Sequence, residues 1–287
     1  MSTERTLLFR ALPSPAPDLP DPADAPEGVP AHAEALAADG PEGSGLIGWR
    51  WEHEHTAPEV TAPPHWSAAR LPAAVVQAPT LLVVSDVDAT LIRDEVISLL
   101  AAHAGRGEEV AAVTERAMRG ELDFAESLHA RVEALAGLPV SVVDDVAGRV
   151  TPTHGAEELV AAVAAAGGRV CAVSGGFTQV LDQLAARLGL HGSAANVLEV
   201  QDGTLTGRVL GDVVDRAAKA DWLRRWAEEA GLEPGQAVGV GDGANDLDLL
   251  AAAGVGVGLC AKPALWEQAD VRVDVPSLTP LRWLLGL

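Results

Sequence analysis

Two aspartates close an apolar run in TLLVVSDVDATLI (80–92). If the run is a strand, Asp86 and Asp88 point the same way, because residues i and i+2 share a face. Like charges that close need a cation between them, or one carboxyl must hold its proton. The first arrangement makes a metal site and the second makes a general acid. A plain capping Asp-x-Asp turn would also account for the pair. Ser174-Gly175-Gly176 ends a second apolar run, RVCAVSGG. A hydroxyl with glycine-rich backbone N–H groups ahead of a helix suits an anion, although many strand-to-helix turns read SGG. Lys219 opens a helical pattern, where the helix dipole disfavours a cation. A third run ends in GDGANDLDLL (241–250). Asp246 there could simply cap the next helix. Capping leaves Asp242 unexplained, since glycines on both sides of it imply a close backbone approach.

The elements that must carry these groups alternate. TLLVVSD (80–86), RVCAVSGG (169–176), AVGVGDG (237–243), GVGVGLC (254–260) and VRVDV (271–275) are short Val-rich runs of the kind buried on both faces of a parallel sheet. Helical patterns at 156–167, 177–190, 219–231 and 245–254 separate them. The fold class is therefore α/β, with a parallel sheet and helices on both faces. Asp202-Gly203 between two β-leaning runs predicts a hairpin over 196–211. Residues 94–150 are mostly helical and directly follow the loop of the first strand. An insertion there sits over the strand's C-terminal end, where ligands bind in such sheets, and can serve as a lid. Every chemical group named so far also falls at those strand ends. Three aspartates, a lysine, a serine and glycines in one crevice fit a Mg²⁺-dependent phosphate site, since hard oxygen ligands suit that ion.

The remaining composition narrows the partners. The 287 residues carry a formal charge of −21, which repels nucleic acid and anionic membranes. No signal peptide is visible and no apolar run reaches the length of a membrane span. A cytoplasmic protein is expected, and an oligomer is compatible with the sequence. Cys171 and Cys260 lie in or beside apolar runs and read as packed, reduced thiols. Residues 1–45 are rich in Pro, Ala, Asp, Glu and Gly and predict a low-complexity N-terminal segment. Residues 46–79 hold Trp49, Trp51 and Trp66 and predict an appendage packed on the main domain. That main domain comprises 80–93 and 151–287, with a helical cap over 94–150.

DVDAT, the SGG turn, the lone lysine and GDGAND, in this order, resemble the haloacid dehalogenase (HAD) superfamily of aspartyl-phosphate phosphatases from about residue 80 onward. The resemblance implies a HAD-like Rossmannoid sheet with the cap after its first strand and a small β-hairpin insertion. It implies Asp86 as the nucleophile and Asp88 as the acid and then the base. Mg²⁺ would be held by Asp86, the backbone carbonyl of Asp88, and Asp242. Ser174, Gly175, Lys219 and Asn245 would bind phosphate, with Thr90 and Asp246 in support. Within the insertion, VTERAMRGELDFAESLHARV (113–132) looks like the cap of phosphoserine-hydrolysing members. CAKP (260–263) and the hairpin match them too. The implied substrate is phosphoserine, a small phosphomonoester, with its ammonium on Glu95, its carboxylate on Arg131, and Met118 and Phe124 as an apolar wall. Read alone, Met118 and Phe124 would be core residues, and Glu95 and Arg131 surface charges. The sequence departs from the superfamily pattern at Ala89, where a serine is usual, and at His154, in PTHG.

Overall fold

The computed structural model describes residues 2–16, 18–57, 60–119 and 121–287, without the side chains of Pro22 and Met118. Its first sheet joins Thr3–Leu12 (β1), Glu34–Asp39 (β2), Gly45–Glu54 (β3) and Ser67–Leu71 (β4) in the antiparallel order β2-β3-β1-β4. The expectation of a low-complexity segment over 1–45 is corrected, since β1 and β2 lie inside it and pair into this sheet. Side chains alternate across this sheet, as the two-residue period requires. Leu7, Phe9, Leu46, Ala69 and Leu71 face the main core. Leu8, Ile47, Trp49 and Trp51 face away, and Val29, Val60 and Trp66 from the neighbouring loops cover them. Trp49 and Trp66 stack with ring centres 5.2 Å apart. The tryptophans thus bury on the first sheet itself.

A short helix, Ala73–Val76 (α1), leads into the second sheet. That sheet contains Leu82–Ser85 (β5), Arg169–Phe177 (β6), Gly192–Gln201 (β7), Thr204–Leu210 (β8), Val238–Gly241 (β9), Val255–Leu259 (β10) and Val271–Val273 (β11). The order is β11-β10-β9-β5-β6-β7-β8, parallel throughout except for the antiparallel β7–β8 hairpin at one edge. Every residue of β5, β9 and β10 is buried, which is why these strands carry Val and Gly without polar alternation. Ala156–Ala165 (α6), Thr178–Leu188 (α7), Arg216–Glu229 (α8) and Leu247–Ala252 (α9) follow the strands in turn. After Pro263–Trp266 (α10), the chain closes with Thr279–Leu285 (α11). Asp202 and Gly203 both take positive φ in the hairpin turn, the conformation an Asp-Gly turn requires. The α/β fold with a mostly parallel sheet is as the strand-helix alternation predicts.

The first sheet docks through arginines. Arg50 donates to the Trp283 carbonyl at 2.8 Å and Arg5 to the Leu284 carbonyl at 3.3 Å. Both bonds meet carbonyls in the last turn of α11, where positive charge is favoured. Between β5 and β6 the chain forms Val96–His103 (α2), Gly107–Met118 (α3), Phe124–Glu133 (α4) and Ser141–Ala147 (α5). Asp123 starts α4 with a reciprocal cap to Glu126. The segment leaves and returns side by side. Arg93 N–H donates to the Thr151 carbonyl at 2.9 Å, and Thr153 N–H to the Leu91 carbonyl at 3.0 Å. On its far side Gly137 and Val140 donate to the Leu205 and Gly203 carbonyls. The helices are thus held at both ends over the C-terminal edge of the sheet. Among the described residues, no helix is long and apolar enough to cross a membrane.

Candidate active site

Asp86 leaves β5 with its N–H on the Val240 carbonyl, 2.9 Å away, so the turn after β5 is pinned to β9. The residue is 3% exposed. Lys219 Nζ lies 2.7 Å from Asp86 Oδ1 and 2.6 Å from Asp246 Oδ1. Burial alone would lower the Lys219 ammonium, but Asp86 and Asp246 beside it raise it above its ordinary range. Burial and the nearby Asp246 charge raise Asp86 well above the usual carboxylate range, against the pull of Lys219. A carboxylate in that state needs a further positive charge to be held ionised. Lys219 stands one turn into α8, whose first N–H groups are capped by Asp215. The helix aims it inward and the acidic pair compensates it, which explains a lysine in a position the dipole disfavours.

Asp88 is half-buried and turns differently. Its Oδ1 accepts the Val96 N–H at 3.0 Å, at the start of α2. Burial pushes its carboxyl up to about 7. Between the two acids and α2 the chain makes a tight turn with Ala89 at φ 54°, and Thr90 is fully buried with its hydroxyl unpartnered.

Ser174 ends the regular part of β6. Its hydroxyl accepts the Gly176 N–H at 2.8 Å, fixing the turn. Gly175 allows a close approach, since a Cβ there would lie 2.8 Å from Phe124 Cζ of the helical segment. Asn196 braces the turn from behind. Its amide donates to the Gly175 carbonyl at 2.9 Å and its carbonyl accepts the Val214 N–H at 2.8 Å. The sequence reading missed this residue. Its only signal was an amide in the middle of a β-leaning run.

Asp246 Oδ2 accepts the N–H groups of both Asp242 and Gly243 at 3.1 Å. A Cβ at Gly241 would lie 2.5 Å from Asp246, so that glycine makes room for the aspartate. Asp246 therefore does more than begin a helix: it shapes the turn that presents Asp242 and holds Lys219. Oxygens of Asp86, Asp242 and Asp246 all lie within 4.8 Å of one another. This buried, all-oxygen group could hold a divalent metal ion. The Asp88 side chain is outside the cluster.

These groups open on a cavity of about 330 Å³ lined by Asp86, Asp88, Glu95, Phe124, Arg131 and Asp242, among others. Asn245 also lines it, whereas Ser174, Lys219 and Asp246 are buried in its wall. Glu95 is exposed at the start of α2. Arg131 is half-buried, and its Nε donates to the Ser127 carbonyl at 3.1 Å, leaving its terminal nitrogens for the cavity. The Met118 side chain lies outside the described residues.

The chain's residues 83–251 match the family model of haloacid dehalogenase-like hydrolases. The chain belongs to that family. A phosphoserine phosphatase of Streptomyces coelicolor is 58% identical over 206 residues, covering 72% of this chain and 50% of the relative. The chain therefore spans about half the length of that relative. A phosphoserine phosphatase of Streptococcus thermophilus is 48% identical over 69% of this chain and 92% of its own. A solved structure described as a phospho-aspartyl intermediate analogue of phosphoserine phosphatase is 40% identical, with a TM-score of 0.66, over 70% of this chain and 97% of that one.

Four further residues of this chain bear on the sequence reading. Cys171 is buried, and burial pushes its thiol up to about 12. Cys260 is exposed, contrary to expectation, because β10 ends at Leu259 and the chain turns at Cys260 with φ 43°. Lys262, two residues on, pairs with Asp242. His154 hydrogen-bonds Ser277 at 2.9 Å and stays clear of the cavity lining.

Proposed function

We propose that this hydrolase converts L-phosphoserine to L-serine and phosphate, with Mg²⁺, as a cytoplasmic enzyme of serine biosynthesis. The single observation that carries the proposal is the lining of one cavity by Asp86, which is paired with the buried Lys219, together with Glu95 and Arg131. A molecule bearing a phosphate, an ammonium and a carboxylate would find a complementary group for each. Asp86 attacks phosphorus and the bond to the serine oxygen breaks, giving an aspartyl phosphate. Asp88 gives its proton to the departing oxygen, then takes one from the water that hydrolyses the intermediate. Lys219 and the Ser174–Gly175 turn meet the phosphoryl oxygens, and Asn245 completes that end of the cavity. Mg²⁺, held by Asp86, Asp242 and the Asp88 carbonyl, would supply positive charge against the same oxygens.

The substrate assignment is tested by Arg131→Ala. Charge-assisted hydrogen bonds contribute about 1.5–3 kcal/mol each, so KM for phosphoserine rises roughly 10- to 100-fold. KM for a phosphomonoester without a carboxylate changes little. Equal effects on both esters would remove Arg131 from the carboxylate site. A wild-type enzyme that turns over other phosphorylated metabolites but not phosphoserine would retire the substrate while keeping the chemistry.

The role of Asp88 predicts a pH dependence. The acid step needs the carboxyl protonated, and a group raised to about 7 holds its proton below that pH and loses it above. The value of kcat/KM therefore declines as pH rises through about 7, approaching tenfold per unit. Asp88→Asn removes that limb along with most of the rate. A profile with the same limb in the variant would place the titration elsewhere.

A further inference from the structure

Lys262 takes no part in the chemistry above, yet it stands in the same cavity wall. Its backbone N–H donates to the Asp242 carbonyl at 2.7 Å, and its ammonium meets Asp242 Oδ2 at 2.9 Å. The two lysines of the site differ sharply in freedom. The Lys219 side chain is 1% exposed and held by two carboxylates, whereas that of Lys262 is 60% exposed and is hydrogen-bonded to Asp242 alone. Its anchored backbone keeps it beside the turn while the exposed stem can swing. It also lies in the electrostatic field of Glu95, for which it is the foremost cation. The two carboxylates served by Lys262 are thus the ones assigned to two other cations, the metal at Asp242 and the substrate ammonium at Glu95.

We propose that Lys262 is a resident positioning cation, which neutralises the Asp242–Glu95 side of the cavity and competes with the divalent metal for Asp242. The proposal rests on the metal assignment of the preceding subsection. An ammonium and a divalent ion sharing one carboxylate repel each other. Because Lys262 is solvated, that repulsion is screened and modest. The lysine therefore tunes metal affinity without abolishing it, and holds the Asp242 turn in place until metal arrives.

The test is calorimetric titration of Mg²⁺, without substrate, into the wild type, Lys262→Met and Lys262→Arg. Lys262→Met is expected to bind Mg²⁺ roughly three- to tenfold more tightly, with a lower Tm in EDTA because Asp242 has lost its partner. Lys262→Arg keeps the charge and is expected to return both quantities towards the wild type. A Mg²⁺ affinity that is unchanged or weaker in Lys262→Met overturns the proposal. A wild type that binds no Mg²⁺ overturns the metal assignment itself, a distinct result.

Discussion

Asp86→Asn is expected to abolish phosphate release while leaving the metal-free fold at least as stable as the wild type. Both halves follow from the same geometry. The amide is nearly isosteric with the carboxylate but cannot form an acyl phosphate, so the loss in kcat is at least about 10⁴-fold. The stability half is less usual. Asp86 is 3% exposed, and burial together with Asp246 raises its carboxyl well above the ordinary range. A carboxylate in that condition works against folding unless a cation offsets it. Lys219 does so in part but is shared with Asp246 at 2.6 Å. Removing the Asp86 charge relieves crowding and leaves Lys219 with one firm partner. In EDTA the Tm of Asp86→Asn should equal or exceed that of the wild type. With Mg²⁺ the order should reverse, since the wild type gains a bound ion that the variant holds more weakly. A large fall in Tm in EDTA would mean that Asp86 is a structural anchor as well as a nucleophile.

Lys219→Met is expected to do the opposite. It replaces the buried cation shared by Asp86 and Asp246 with an apolar side chain of similar length. Two carboxylates, 4% and 0% exposed, would then face each other uncompensated. Breaking a buried ion pair from one side costs about 3–5 kcal/mol, which in a chain of this size lowers Tm by something on the order of 10 °C. Activity is expected to fall at least about 10³-fold, because the charge proposed to meet the phosphoryl oxygens is lost. Combining the two substitutions gives the sharper measurement. Asp86→Asn removes one of the stranded charges, so the double variant should recover part of the Tm lost by Lys219→Met. Strict additivity would show that the two side chains are not coupled, contrary to their 2.7 Å separation.

The chemistry at the strand ends was legible because fully buried parallel strands are short and apolar, so any polar residue closing one stands out. Asp86, Ser174 and Asp242 are of that kind. What makes them a site was less legible. Asp246 reads locally as a helix-opening acid and the resemblance implied a supporting role for it, whereas the fold adds that it shapes the Asp242 turn as well as holding Lys219. Asn196 acts across the gap between β6, β7 and the segment before α8, a convergence that no local spacing encodes. The first sheet was missed for a compositional reason. β2 is EALAAD, with no β-branched or aromatic residue, and its strand character comes from ten paired residues of β1 and β3 next to it. The loops covering Trp49 and Trp51 are rich in proline and alanine, which resemble a linker until the tryptophans beneath them are seen.

The central claim is that the phosphoryl group of phosphoserine passes through Asp86. The most direct measurement is mass spectrometry of enzyme quenched in acid during turnover of phosphoserine with Mg²⁺, followed by pepsin digestion at low pH. The account predicts one added phosphoryl group on the peptide containing Asp86, assigned to that residue by fragmentation, and absent when Asp86→Asn is treated in the same way. Steady release of phosphate with no such adduct, or an adduct that persists in Asp86→Asn, would contradict it.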